Sequence, residues 1–245
     1  MARVKRHIAF DGLHNFRDLG GYRAAGGRSV QWGRLYRSDS LGKLEGRGRD
    51  DFLALGVRTV IDLRYPWEIE RSGRVPQHEG LAYHNLSIEH RPYDQAGLGP
   101  EVEPARFLAD KYTEVAHDGV EEIRRALDVI AEDTGPLVFH CQSGKDRTGL
   151  LAMLVLALLG VHEDDIVADF ALTELATDRL VADWHANYPD LTLRWPAYGR
   201  APAEVMRFFL ADLTTRYGSV HGYATEQLGV DDELVAALRG ELLTP

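Results

Sequence analysis

The fold is decided by one stretch, Leu137-Val138-Phe139-His140-Cys141-Gln142-Ser143-Gly144-Lys145-Asp146-Arg147-Thr148. Three apolar residues follow the break at Gly135-Pro136, a pattern suited to a short buried strand. From Thr148 the chain turns apolar at helical length and stops near Gly160, so a helix follows. Working outward, Val57-Arg58-Thr59-Val60-Ile61-Asp62-Leu63 reads as a second buried strand with Asp62 near its carboxyl end. Arg49 to Leu55 before it reads as a helix that Gly56 stops. Further strands are expected at Gln31 to Tyr36 and Leu81 to Leu86. Val120, Ile123, Leu127 and Ile130 recur at the spacing of an amphipathic helix. Strands alternating with helices predict an α/β sandwich with a largely parallel central sheet flanked by helices.

The last third of the chain is expected to be helical. Glu163, Asp164 and Asp165 place negative charge at a helix start. Pro202 opens a helix carrying Val205, Phe209 and Leu213, and Asp231 caps a last one bearing Leu234, Val235 and Leu238. Arg91 to Pro104, with its proline, glycine and acidic residues, reads as a loop within one domain. The whole of 1–245 is taken as that single domain.

The chemistry sits in the turn between strand and helix, where His-Cys-x5-Arg occurs. Such a loop can aim successive backbone N–H groups inward, and the helix that follows adds its positive end. The result is a cradle for a tetrahedral dianion, with Gln142, Ser143, Gly144, Lys145, Asp146, Arg147 and Thr148 as the candidate phosphate contacts. Arg147 supplies a planar fork able to bond two oxygens at once. Gly144 lets the backbone approach the ligand closely. The same field favours the thiolate of Cys141, which could attack phosphorus and form a cysteinyl-phosphate. No metal or other cofactor is needed for this. The bland alternative for a lone cysteine is a small buried hydrophobe at a strand end, but the residues that follow Cys141 at fixed offsets weigh against it.

Other classes fit less well. The net charge of −10 argues against nucleic acid or an anionic membrane as a bulk partner. One cysteine rules out an intramolecular disulfide framework and a multi-cysteine zinc site. Gly144-Lys145 hints at a nucleotide loop, but Asp146 stands where Ser or Thr is required and Phe139 where a glycine is required. No His-Glu-x-x-His pair is present, and the histidines read as surface or hydrogen-bonding residues. The longest apolar run, Leu150 to Leu159, is roughly half of what a membrane span needs. No apolar segment follows the basic start Met1-Ala2-Arg3-Val4-Lys5-Arg6, so a cytoplasmic protein without integral membrane association is expected.

The loop resembles that of the atypical bacterial tyrosine-phosphatase-like family, whose signature is His-Cys-x-x-Gly-Lys-Asp-Arg. The resemblance extends to Asn15-Phe16-Arg17-Asp18-Leu19-Gly20-Gly21-Tyr22, Gly33-Arg34-Leu35-Tyr36-Arg37-Ser38, Leu55 to Arg64, and Tyr217-Gly218-Ser219-Val220-His221-Gly222-Tyr223. It therefore covers nearly the whole chain in order. It implies a tyrosine-phosphatase-like fold and activity on phosphotyrosine, on phosphoserine or phosphothreonine, and on phosphoinositides. Cys141 is then the nucleophile and Arg147 the clamp, while Lys145 and Asp146 set the family apart from ordinary tyrosine phosphatases. Some members carry a long insertion whose helices cover the site, and Glu89 to Ala116 is short for that.

The proton donor to the leaving group is open between two residues. Tyr65-Pro66-Trp67-Glu68 has the wrong order for a Trp-Pro-Asp loop. Asp146 lies in the loop, with a loop-bracing hydrogen bond as its alternative role. Asp62 lies at a strand carboxyl end, where it could instead pair with Arg37 or Arg64. Asn15, Arg17 and Asp18 read as turn-bracing residues beside the site. Arg64, Arg71 and Arg74 read as a solvated face or a substrate entrance, and Trp184, Trp195, Phe208 and Phe209 as packing aromatics. Lys145, expected near the surface, could reach a second phosphate on the substrate. Two rivals remain at this point, a pseudophosphatase that only binds phosphorylated ligands and a rhodanese-like sulfurtransferase.

Overall fold

The computed structural model describes residues 6–88, 91 and 94–245. In chain order its elements are β1 (Arg17–Asp18), β2 (Leu35–Ser38), α1 (Gly46–Ala54), β3 (Thr59–Asp62), α2 (Pro66–Ser72), β4 (Ala82–Asn85), α3 (Pro104–Asp118) and α4 (Val120–Glu132). They continue with β5 (Leu137–His140), α5 (Asp146–Leu158), α6 (Glu163–Ala171), α7 (Thr177–Asn187), α8 (Ala203–Tyr217), α9 (Val220–Leu228) and α10 (Asp232–Leu242).

The sheet runs in the order β1-β2-β5-β3-β4. Only β1 is antiparallel to its neighbour, and the other pairings are parallel. β5 is central, which explains its unbroken apolar run, because a strand between parallel neighbours is buried on both faces. Side chains alternate across the sheet. Leu35, Ile61, Leu137 and Phe139 join the large core under α3, α4, α5, α8 and α9. Tyr36, Val60 and Val138 turn to the other face, against Phe10, Phe16, Phe52 and Leu81. This is the expected sandwich.

The run Leu150 to Leu159 belongs mostly to α5, which is buried all round. A helix apolar on every side either sits in a core or crosses a bilayer. With 13 residues it is too short to cross, and it threads the core instead. Among the described residues no helix is long and apolar enough to cross a membrane.

The strand expected at Gln31 to Tyr36 begins later, at Leu35. Residues 31–34 turn instead, with Gln31 N–H bonded to the Leu242 carbonyl. Asp231 caps α10 as expected, accepting from Leu234 N–H at 2.9 Å. α2 was not foreseen, and neither was most of α3, whereas α7 falls in the last third, which was expected to be helical. The loop expected at Arg91 to Pro104 includes Pro92 and Tyr93, which lie outside the described residues, as does Glu89. Within Glu89 to Ala116, α3 takes up the later part and packs on α8.

One buried charge cluster ties sheet to helices. Asp169 on α6 accepts from Arg17 of β1 (3.2 Å) and Arg37 of β2 (2.7 Å), with all three side chains buried. Burial pushes the Asp169 carboxyl up, but the two guanidiniums outweigh it and hold it at about 2. Removing one member of a buried ion group strands the rest and typically costs about 3–5 kcal/mol. Asp169→Ala should therefore lower unfolding stability by about that amount, measured by urea denaturation at neutral pH. The folded carboxyl titrates below its unfolded value, so the wild-type contribution is complete above about pH 4 and fades as pH falls toward 2. The stability gap between wild type and variant should close over that window.

Candidate active site

At the carboxyl edge of the sheet, His140 ends β5 in register with Ser38 of β2 and Asp62 of β3. The loop from Cys141 to Lys145 leaves from this point and feeds α5. Parallel sheets gather ligands at such an edge.

The carbonyls of the loop are held by partners outside it. Gln142 accepts from Ser40 N–H (3.1 Å), Ser143 from Asn15 Nδ2 (3.1 Å) and Gly144 from Arg37 Nη2 (2.8 Å). His140 Nδ1 lies 3.2 Å from the Cys141 carbonyl, and the Lys145 carbonyl accepts Gly149 N–H at 2.8 Å. A trans peptide opposes its C=O and the following N–H. Five carbonyls turned outward therefore aim the N–H groups of residues 142–146 the other way, where α5 adds its positive end.

Each holder is itself held. Asn15 is placed by its own N–H bonding to Asp39 Oδ1 (3.1 Å), and Arg37 by Asp169. Ser40 Oγ accepts from Arg64 Nη1 at 2.8 Å. Gly144 adopts φ +68°, and a Cβ there would lie 2.6 Å from the Ser38 carbonyl oxygen. The close approach that requires glycine is thus to the end of β2, not to the ligand as expected.

Cys141 is buried at the base of the loop. Arg147, on the first turn of α5, gives Nη1 and Nη2 to the two oxygens of Glu68 at 2.6 and 2.9 Å. Nη1 also approaches the Leu63 carbonyl at 3.3 Å. Burial pushes the Arg147 guanidinium down, but the bonds from Glu68 outweigh it and hold its pKa above the ordinary arginine value. Sequence reasoning missed Glu68. Its one local signal is that it follows Tyr65 at capping-box spacing, and Glu68 Oε2 does accept Tyr65 N–H at 2.8 Å.

The two candidate acids stand in different surroundings. Asp62 is fully buried and accepts from Arg64 Nε (2.9 Å), Arg64 Nη2 (2.7 Å) and Tyr83 OH (2.9 Å). Burial pushes its carboxyl up, but His140, Arg64 and Tyr83 together hold it below the usual range. It is an ionised, fully engaged ion-pair partner, the alternative weighed for it above. Asp146 is partly exposed (20% of its side chain) and accepts from Tyr112 OH at 2.8 Å.

Lys145 is buried, not near the surface as expected, with Nζ 3.5 Å from both Asp146 Oδ1 and Gln95 Oε1. Arg64, read as solvated, is fully buried because it serves Asp62 and Ser40 at once. His140 is buried as well. Thr148 is fully buried beneath the loop. Phe208 is 40% exposed, whereas Trp184, Trp195 and Phe209 pack inside. Asp18 braces its turn as read, accepting from Gly20 and Gly33 N–H at 2.7 Å each. Among the described residues no group of three or more His, Cys, Asp or Glu side chains could hold a metal ion.

The strand-to-helix loop thus joins a buried cysteine, outward-held carbonyls and an arginine on the following helix, and sequence comparison gives the class. The model of the tyrosine phosphatase family matches residues 8–244, and the chain belongs to that family. It is a phosphoric monoester hydrolase acting on phosphorylated substrates, which sets aside the pseudophosphatase and sulfurtransferase readings. A Cupriavidus necator protein named "Putative tyrosine-protein phosphatase" is 34% identical over 97% of this chain and 89% of its own length. The "Triple specificity protein phosphatase PtpB" of Mycobacterium tuberculosis is 26% identical over 95% of this chain and 97% of its own length. Among solved structures, the Siw14 catalytic core from S. cerevisiae aligns at 14% identity over 86% of this chain and 96% of that chain, with a TM-score of 0.41.

Glu68 fixes the plane of the Arg147 fork, so its loss should be felt in turnover. Glu68→Ala should lower kcat/KM for p-nitrophenyl phosphate by about tenfold or more, the scale of one or two hydrogen bonds to a charged group. Glu68→Gln keeps one acceptor and should lose less. Steady-state kinetics of the three proteins checks this.

Proposed function

We propose that residues 1–245 act as one phosphatase domain that removes phosphate through a cysteinyl-phosphate intermediate. The observation that carries this is the set of outward-held carbonyls around Cys141, since it leaves an inward ring of N–H donors above a thiol. The Cys141 thiolate attacks phosphorus while the bond from phosphorus to the ester oxygen breaks. Asp146 gives its proton to the departing oxygen. Water then attacks phosphorus, the S–P bond breaks to restore the thiolate, and Asp146 takes the proton back. The N–H ring and Arg147 stabilise the charge on the equatorial oxygens in both steps. Asp146 is chosen over Asp62 because 20% of its side chain is exposed and its contacts with Tyr112 and Lys145 fall on one oxygen, whereas Asp62 is fully buried and engaged at both oxygens by Arg64 and Tyr83.

The substrates proposed are phosphotyrosine in proteins, with phosphoserine, phosphothreonine and phosphoinositides beside it. The name of the M. tuberculosis relative supports a protein substrate. Lys145 supports the inositide reading. It is a second cation within the loop, resting 3.5 Å from Asp146 and Gln95, and a single phosphate already has the N–H ring and Arg147.

The deciding experiment is Cys141→Ser, which should abolish release of phosphate while keeping vanadate binding, because the backbone ring survives the change. Substantial turnover by the serine variant would remove Cys141 from the mechanism. Asp146→Asn should slow phenyl and alkyl phosphates far more than aryl phosphates with acidic leaving groups, since only poor leaving groups need the proton. If Asp62→Asn shows that dependence instead, the acid is misassigned. Lys145→Met should lower kcat/KM for a polyphosphorylated inositide by roughly tenfold and much less for p-nitrophenyl phosphate. Equal losses on both substrates would restrict Lys145 to shaping the loop.

A further inference from the structure

The organic part of the substrate must lie beside Arg147, and a ring found against that arginine is that of Tyr65, the residue that caps α2. Arg147 Cζ sits 5.1 Å from the centre of the Tyr65 ring. The Trp67 ring stacks on Tyr65 with centres 5.8 Å apart and planes 17° from parallel. Trp67 is nevertheless 59% exposed. An indole left open to water gives up burial that tryptophan usually obtains in a core or an interface. Among the described exposed large apolar side chains, Trp67 is the one stacked on a ring that itself rests against the loop arginine.

The pair is also rigidly placed. Pro66 opens α2 and presets its backbone. Glu68 accepts Tyr65 N–H and binds the Arg147 fork with the same carboxylate. The two rings are therefore held in register with the phosphate clamp before any substrate arrives, which keeps the ordering cost of binding low.

We propose that Tyr65 and Trp67 form a wall beside the phosphate site that selects esters of aromatic alcohols. This rests on Arg147 being the phosphate clamp. In an aryl phosphate the ring begins one bond from the phosphate oxygen, so with the phosphate in the cradle it lies at the depth of Tyr65 and extends along Trp67. Offset and edge contacts between rings then add to simple burial. In a phosphoserine ester a single methylene separates the oxygen from the peptide backbone, and no flat surface faces the wall.

The test compares a phosphotyrosine peptide with a phosphoserine peptide of the same sequence, using wild type, Trp67→Ala and Trp67→Phe. Trp67→Ala should lower kcat/KM for the phosphotyrosine peptide by about five- to tenfold, mainly through KM, the scale of one aromatic pair. The phosphoserine peptide and vanadate inhibition should be little changed, and Trp67→Phe should recover most of the loss. A fall of equal size on both peptides, or no fall on either, overturns the proposal. Binding of both peptides to Cys141→Ser, with and without Trp67→Ala, separates this from the proposed chemistry. If the wild type releases no phosphate from either peptide, the hydrolytic reading fails. The wall then stands if binding of the phosphotyrosine peptide still depends on Trp67, and falls if it does not.

Discussion

Everything at the site depends on the direction of five peptide planes. A backbone carbonyl out of reach of water must find a donor, and here the donors come from His140, Ser40, Asn15, Arg37 and Gly149. Because each donor lies outside the ring of N–H groups, satisfying the carbonyls and aiming the amides are one act. The loop cannot relax into an ordinary turn without leaving buried groups unpaired. The bonds that stabilise the loop are thus the ones that set the direction of its amides.

The charges beneath the loop follow from that geometry. Arg37 must reach the Gly144 carbonyl from inside the sheet. Burial and neighbouring Arg17 push its guanidinium down to about 10, against the pull of Asp169 and Cys141. At neutral pH it still carries its charge. Arg17, Arg37 and Asp169 therefore leave one net positive charge buried below the cradle, within a chain whose overall charge is −10. Asp62 and Arg64 cancel, as do Glu68 and Arg147. That buried positive charge faces the thiolate proposed for Cys141, whose pull on Arg37 opposes the effect of burial, and it is shielded from salt by its depth.

The loop was legible in the sequence because its strand, turn and helix are contiguous and each has a local signal. The central strand and buried helix followed from apolar runs, and the parallel sheet from their alternation. Glu68 was not legible as the partner of Arg147, because the two are separated by 79 positions. Arg37 and Asn15 reach the loop across 107 and 128 positions. Such pairings depend on where the sheet register brings chain segments, and no periodicity encodes that. Resemblance marked Asn15, Arg17 and Arg37 as parts of recurring blocks without saying what they hold. For Arg64 the pairing with Asp62, two positions away, was among the readings offered, whereas its bond to Ser40, from the connection after β2, had no local signal.

The pairing of Glu68 with Arg147 looks opposed to function, because it sets a carboxylate against the arginine proposed to bind phosphate. The energetics point the other way. An arginine buried without a counter-charge costs several kcal/mol, and no folded resting state would hold one there cheaply. Glu68 takes one N–H from each terminal nitrogen, which orients the guanidinium plane and leaves its remaining donors with a fixed direction. In the proposed mechanism phosphate would meet a fork already aligned, which keeps the side-chain entropy lost on binding small. The same carboxylate caps α2 and so sets Tyr65 and Trp67 beside the clamp. One side chain thereby joins charge neutrality, clamp geometry and the shape of the entrance.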